Sequence, residues 1–314
     1  MADPHGEGGT RAILTAFFAN LGIAIAKFIG FLLTRSSSML AESIHSLADT
    51  GNQALLLLGG RSASRAPTPS HPFGYGRERY FWAFVVSLVL FSLGSLFALW
   101  EGINKLQHPH ELDAPAIAIG ILLLSIAFES FALRTAVIAA NHVRDGASWW
   151  QFIRNSKAPE LPVILLEDTG AVLGLTIALG AVGMTVVTDN PRWDAAGTIS
   201  IGVLLGIIAV VLAIEMRSLL IGEAARPSDR QLILDTIDAS PVAERLIHIR
   251  TQHIGPEELL VAAKIAFPPR MSFADVAVAI DTLEAAIRDR VPAARVIYIE
   301  PDVDRDREPE DQPS

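Results

Sequence analysis

Glu42, His45 and Asp49 stand within eight residues of one another, inside the largely apolar stretch SSSMLAESIHSLADTGNQALLLLGG that runs from Ser36 to Gly60. Spacings of three and four place all three on one stripe of a helix. A second pair, Glu167 and Asp168, interrupts the apolar run LPVILLEDTGAVLG. Neighbouring helical positions point about 100° apart, so these two need not address one site. A carboxylate or imidazole at membrane depth is expensive, and it persists where it faces protein or water and acts there. One imidazole with two or more carboxylates suits a divalent cation, because zinc accepts His nitrogen and carboxylate oxygen in a tetrahedron. An all-oxygen set favours magnesium, calcium or manganese; imidazole moves the preference towards zinc, iron, cobalt or nickel. A polar knot that ties helices together by hydrogen bonds, or a path for protons or another ion, would use the same residue types.

The elements that must position these residues are membrane helices. Of the 314 residues, 51% are hydrophobic and 19% charged, against about 25% charged in ordinary soluble proteins. The apolar residues gather before about residue 220 and thin out after it, which predicts a membrane part followed by a soluble domain. A span needs about 20 mostly apolar residues, and six segments qualify: 12–34, 38–60, 81–104, 114–138, 161–187 and 195–220. One set of connections carries Arg61, Arg65, Arg77, Arg79, Arg144, Arg154, Lys157, Arg217 and Arg226; the other carries Arg35, Lys105 and Arg192. The richer side is cytoplasmic, which puts both termini inside. With helix two entering from outside, Asp49 lies about 16 Å deep; with helix five entering from inside, Asp168 lies about 10 Å from the inner edge. In a core about 30 Å thick the two carboxylates come to nearly one level, with His45 a turn outward. Trp82, Trp100 and Trp193 fall near span ends, as interfacial rings do. Gly170 with Gly174 and Gly202 with Gly206 are expected to let helices five and six pack closely. DGASWWQF reads as an interfacial segment. Glu129, with Arg134 five residues on, serves helix packing, an ion pair, or proton or gating work; Lys27 snorkels or pairs with a carboxylate. His108 and His110 read as solvated and His142 as interfacial.

After residue 220 the pattern changes. SDRQLILDTIDA predicts a helix capped by Ser228, ERLIHIRTQHIG and ELLVAAKIAF two strands joined by a Gly-Pro turn, SFADVAVAIDTLEAAIRDRV a helix capped by Ser272, and ARVIYIEP a third strand. The order αββαβ packs economically as a small sheet with helices on one face. The predicted organisation is an N-terminal cytoplasmic tail over 1–11, a six-helix membrane domain over 12–220, a cytoplasmic α+β domain of ferredoxin-like type over 221–302, and a disordered acidic tail over 303–314.

Composition also excludes. There is no cysteine, hence no disulfide and no thiolate metal site. A net charge of −9 argues against a nucleic-acid partner. The start MADPHGEGGTR is acidic and Gly-rich, unlike a signal or transit peptide. No nucleotide-binding Gly-rich loop appears, so ATP drive and a bound cofactor are not expected. Neither a His-Glu-x-x-His helix nor a multi-His cluster is present, which argues against a metalloenzyme.

The motif ESIHSLADTGNQ, followed after a basic loop by HPFGYGRERYFW, resembles the cation diffusion facilitator family over nearly the whole chain. The resemblance implies six spans, cytoplasmic termini, an αββαβ cytoplasmic domain and a homodimer in the lipid bilayer, here the bacterial plasma (inner) membrane. It implies His45 and Asp49 as helix-two metal ligands and Asp168 as a helix-five ligand. It implies export of zinc, or a related divalent cation such as iron, cobalt or manganese, in exchange for protons. The alternative is a metal sensor or scaffold of the same fold that transports nothing. Many members carry His or Asp four residues before the helix-five Asp; Ile164 stands there instead, leaving Glu167, Glu42 or water to complete the set. His71 opens the loop motif, but Tyr75 replaces a frequent second His, which implies an incomplete loop site. His248 and His253 read as surface residues, and Lys264 occupies a position where some members have His. A structural domain with at most weak metal binding follows.

Overall fold

The computed structural model describes residues 14–303, except 15–16, 19, 27, 30–31, 33–36, 109–114 and 145; for 37–46 and 48 it describes the backbone alone. The two predicted tails, Arg35, Lys27 and His110 lie outside the described residues, apart from Val303 at the end of the fold. The chain forms two units, Met1–Ala66 with Glu78–Arg217 and Pro67–Arg77 with Ser218–Ser314.

The first unit is helical. Every described position between 14 and 32 is helical (α1). Then come α2 (Ser37–Ala63), α3 (Glu78–Val89), a π-helical stretch (Leu90–Leu96) running into α4 (Phe97–Gln107), α5 (Pro115–Val143), α6 (Trp149–Asn155), α7 (Glu160–Thr188) and α8 (Arg192–Ile221). Among the described residues, Glu78–Gln107, Pro115–Val143, Glu160–Thr188 and Arg192–Ile221 are long and apolar enough to cross a membrane. These are the predicted spans three to six, the third being α3, the π stretch and α4 in one run. α2 is also 27 residues long. Its polar middle, from Glu42 to Gln53, sets it apart from those four. The segment expected as interfacial becomes α6, closed by a capping box in which Ser148 accepts from the Gln151 amide and the Gln151 side chain accepts from the Ser148 amide. Arg144 stacks over the Trp149 ring at 4.3 Å. The turn between α7 and α8 passes through Asp189 in the left-handed region (φ 52°), a conformation Asp tolerates better than most residues.

α2 packs along α3, and α5 along α7. Small residues bring other helices closer. A Cβ on Gly170 would fall 2.7 Å from Ile208 Cδ1 and one on Gly174 3.6 Å from Ile201 Cγ2, so these two do admit α8 to α7. Gly202 and Gly206 behave differently from expectation. A Cβ there would fall 2.8 Å from Leu99 Cγ and 2.8 Å from Ser95 Oγ, on the third span. Spaced by four, they share one face of α8, and that face meets the third span. Gly102 completes the seam, where a Cβ would come 2.6 Å from Ile199 Cγ1. Ser95 Oγ, inside the π stretch, donates to the Gly202 carbonyl at 2.8 Å, and Lys105 Nζ bridges to Asp194 at 2.9 Å.

The second unit has the predicted αββαβ order: α9 (Pro227–Asp238), β1 (Arg245–Gly255), β2 (Glu258–Ala266), α10 (Phe273–Arg290) and β3 (Val296–Asp302). β2 is the middle strand, antiparallel to β1 and parallel to β3. Leu259, Val261, Ala263 and Ile265 alternate inward against Ile233 and Ile237 of α9 and Leu283 and Ile287 of α10. Ser272 caps α10 by accepting from the Asp275 amide at 3.2 Å. Ser228 does not cap α9. The helix begins two residues earlier, with Arg226 as N-cap and Pro227 in its first turn, where a fixed φ and a missing N–H cost nothing. The connection 67–77 belongs to this unit. A Cβ on Gly76 would lie 2.8 Å from the Ile254 carbonyl and 2.9 Å from Gly255 Cα, so only glycine seats that loop on the β1–β2 hairpin.

Candidate cation site in the helices

α2 buries Asp49, Asn52 and Gln53, α5 buries Ser125 and Glu129, and α7 buries Glu167 and Asp168. Three and four residues separate His45, Asp49 and Asn52, so the face that carries the first two also carries Asn52. Asn52 Nδ2 donates to Glu167 Oε1 at 2.7 Å, joining α2 to α7. Asp49, Asp168 and Glu129 lie within electrostatic range of Glu167, and Glu129 and Asp49 within range of Asp168. Glu167 and Asp168 therefore belong to one cluster despite their adjacent positions, because carboxylates from α2 and α5 reach both.

Asn52 Oδ1, Glu167 Oε2, Asp168 Oδ2 and both amide atoms of Gln53 are buried without a hydrogen-bond partner among the described residues. Buried polar atoms left unpaired are costly and rare. Carboxylates gathered in low dielectric call for a compensating cation or for protons. Among the described residues, no three His, Cys, Asp or Glu side chains converge as a ready-made metal cage. His45 and Glu42 are helical at the backbone, one and two turns before Asp49, and their side chains lie outside the described residues. Ile164, four residues before Asp168, is buried and apolar. Asn52 and Gln53 carry no charge and so do not stand out in the sequence; the unbroken i, i+4, i+7 stripe from His45 is the signal for Asn52.

Elsewhere, Arg79 pairs with Glu160 at 3.4 Å and Arg154 with Glu215 at 3.4 Å. Glu129 is buried, whereas Arg134 is exposed. In the loop, the His71 and Tyr75 rings stack at 4.6 Å and Tyr75 Oη shares a hydrogen bond with Thr68 Oγ1 at 3.2 Å. His248 is exposed as expected. His253 is not a surface residue: it is 2% exposed, at the end of β1 where its backbone amide donates to the Glu223 carbonyl at 2.8 Å. Lys264 Nζ lies 2.9 Å from Glu300 and 3.1 Å from Asp302, and these hydrogen bonds raise its pKa. An ammonium thus already occupies the place between two carboxylates.

The family model of the cation efflux transmembrane domain matches residues 13–221. The mitochondrial proton-coupled zinc antiporter SLC30A9 of Mus musculus is 31% identical over 270 residues, covering 84% of this chain and 47% of that protein. This chain thus spans about half the length of that relative. The zinc transporter ZitB of Pectobacterium atrosepticum is 25% identical over 279 residues, covering 86% and 80%. The cation-efflux pump FieF of Salmonella arizonae is 23% identical over 297 residues, covering 95% and 94%.

Proposed function

We propose that this chain, which belongs to the cation efflux family, exports a divalent transition-metal cation, zinc foremost, from the cytoplasm in exchange for protons. The observation that carries the reading is the buried Asn52–Glu167 bond between α2 and α7, set among Asp49, Glu129 and Asp168. Similarity to proteins named as a proton-coupled zinc antiporter and a zinc transporter supports the ion and the exchange. In this reading α1 and α2 join the four long apolar helices as a six-span bundle in the bacterial plasma membrane. Both termini are cytoplasmic, and the chain works as a homodimer.

His45, Asp49, Glu167 and Asp168 hold the ion. An imidazole titrates near pH 6.5 unperturbed, so His45 binds metal when neutral and a proton once metal leaves. Metal binding needs deprotonated ligands and so competes with protons at the same atoms. Rocking of the helices then exposes the site to each side in turn, carrying metal out and protons in. The second reading, a sensor or scaffold that transports nothing, is favoured by Ile164 in a ligand position. Flux into proteoliposomes holding the purified full chain separates the two: zinc moves only if the first is right.

A further inference from the structure

We infer that Asn52 is a positioning and specificity residue of the cation site, one that holds Glu167 to single-oxygen coordination; this rests on the transport reading above. A carboxylate oxygen accepts, so the Asn52 amide must turn its nitrogen towards Glu167 Oε1, 2.7 Å away. That contact occupies Oε1 and leaves Oε2 as the oxygen of Glu167 without a hydrogen-bond partner among the described residues. It also turns Asn52 Oδ1, likewise unpartnered there, away from Glu167 on the same buried amide. Asn52 is 3% and Glu167 7% exposed, so water competes little for either end of the bond.

The consequence for metal choice follows from coordination chemistry. Zinc in a tetrahedral site takes one oxygen at about 2.0–2.2 Å from each carboxylate. Larger ions such as calcium accept both oxygens of a carboxylate, at about 2.3–2.6 Å, and manganese favours oxygen-rich, six-coordinate sites. A Glu167 with one oxygen held back suits the smaller set. Released from Asn52, it offers both oxygens and widens the choice. Partners that orient a metal ligand through a hydrogen bond typically change metal affinity by about 10–100-fold when removed. Glu167 takes over for the ligand that Ile164 cannot supply, and Asn52 gives it the fixed direction that a longer side chain otherwise lacks.

The test compares wild type with Asn52→Ala, Asn52→Leu, Glu167→Ala and the double variant Asn52→Ala/Glu167→Ala, each as full chain, checked as monodisperse by size exclusion. Initial rates of zinc and manganese uptake into proteoliposomes give KM and maximal rate. Titration calorimetry of the solubilised protein with each metal gives affinity without transport. Asn52→Leu keeps the size and removes the donor without adding a ligand atom, so it serves if Asn52→Ala is poorly folded. The expected result is a zinc KM about 10–100-fold higher, a smaller change for manganese, and a double variant no worse than Glu167→Ala, since Asn52 acts through Glu167. Unchanged KM and metal preference in both Asn52 variants, with wild-type zinc flux intact, overturns the inference and leaves the transport reading standing. Equal loss for both metals, additive with Glu167→Ala, makes Asn52 a helix-packing residue and also overturns it. A wild type that moves no divalent cation overturns the transport reading and the inference with it.

Discussion

The carboxylates of the cluster come from three helices, Asp49 from α2, Glu129 from α5 and both Glu167 and Asp168 from α7, and that division sets what a single substitution does. Asp49→Asn and Asp168→Asn each keep size and remove a charge where solvent screens little. Zinc flux should fall on the order of 100-fold or more in each, the scale of losing a metal ligand outright rather than its support. Flux of radioactive zinc into proteoliposomes checks this; near-normal rates in Asp168→Asn would take α7 out of the site. His45→Asp should retain some transport and move the preference towards manganese, since an oxygen replaces the nitrogen that favours zinc. The loop histidine differs. His71 stacks on Tyr75 and has no second strong ligand beside it in the motif, so His71→Ala should lower the zinc rate by less than about threefold, below the cost of losing a supporting partner in a metal site. Charge made Asp49, Glu167 and Asp168 visible in the sequence, because an ionisable residue in an apolar run demands a reason. Neutral Asn52 and Gln53 drew no such demand. Their burial and the Asn52–Glu167 bond required a second helix whose rotation the sequence does not specify.

At the scale of elements, the seam between the third span and α8 governs whether the helices stay in register. Gly202 faces both the side chain and the backbone nitrogen of Leu99, the latter 2.9 Å from an added Cβ, whereas Gly170 faces only the ends of Ile208 and Leu205. Backbone cannot step aside as a side-chain tip can. Gly202→Ala should therefore lower the unfolding midpoint in detergent more than Gly170→Ala, with a cost in the range of about 1–3 kcal/mol typical of overpacking. Equal midpoints would mean that the two helices separate freely. Periodicity and apolar length were enough to find spans three to six within a few residues, and alternation found β1 and β2. They did not reveal which face of α8 meets which neighbour, since Gly202 and Gly206 mark a close contact without naming the partner. The sequence also places the start of α9 two residues late, because Pro227 can open a helix as well as Ser228 can cap one.

For the whole molecule, the proposed division of labour follows from where candidate metal ligands are and are not. The αββαβ unit buries an apolar core between its sheet and two helices, places Lys264 where a metal would otherwise meet Glu300 and Asp302, and keeps His253 inside. We propose that it serves dimer assembly and regulation and does not select the ion. Removing the residues after Glu223 should weaken dimerisation in size-exclusion chromatography with light scattering, while the ratio of zinc to manganese flux in whatever protein inserts stays the same. A changed ratio with intact dimers would contradict that assignment. The central claim is that one buried cluster takes metal and protons by turns. It is tested most directly by zinc flux in proteoliposomes of the full chain, measured against an imposed proton gradient. Zinc uptake should accelerate when protons can flow the opposite way, and each zinc pulse should move protons outward from the lumen; zinc flux indifferent to the gradient, with no proton movement, would rule exchange out.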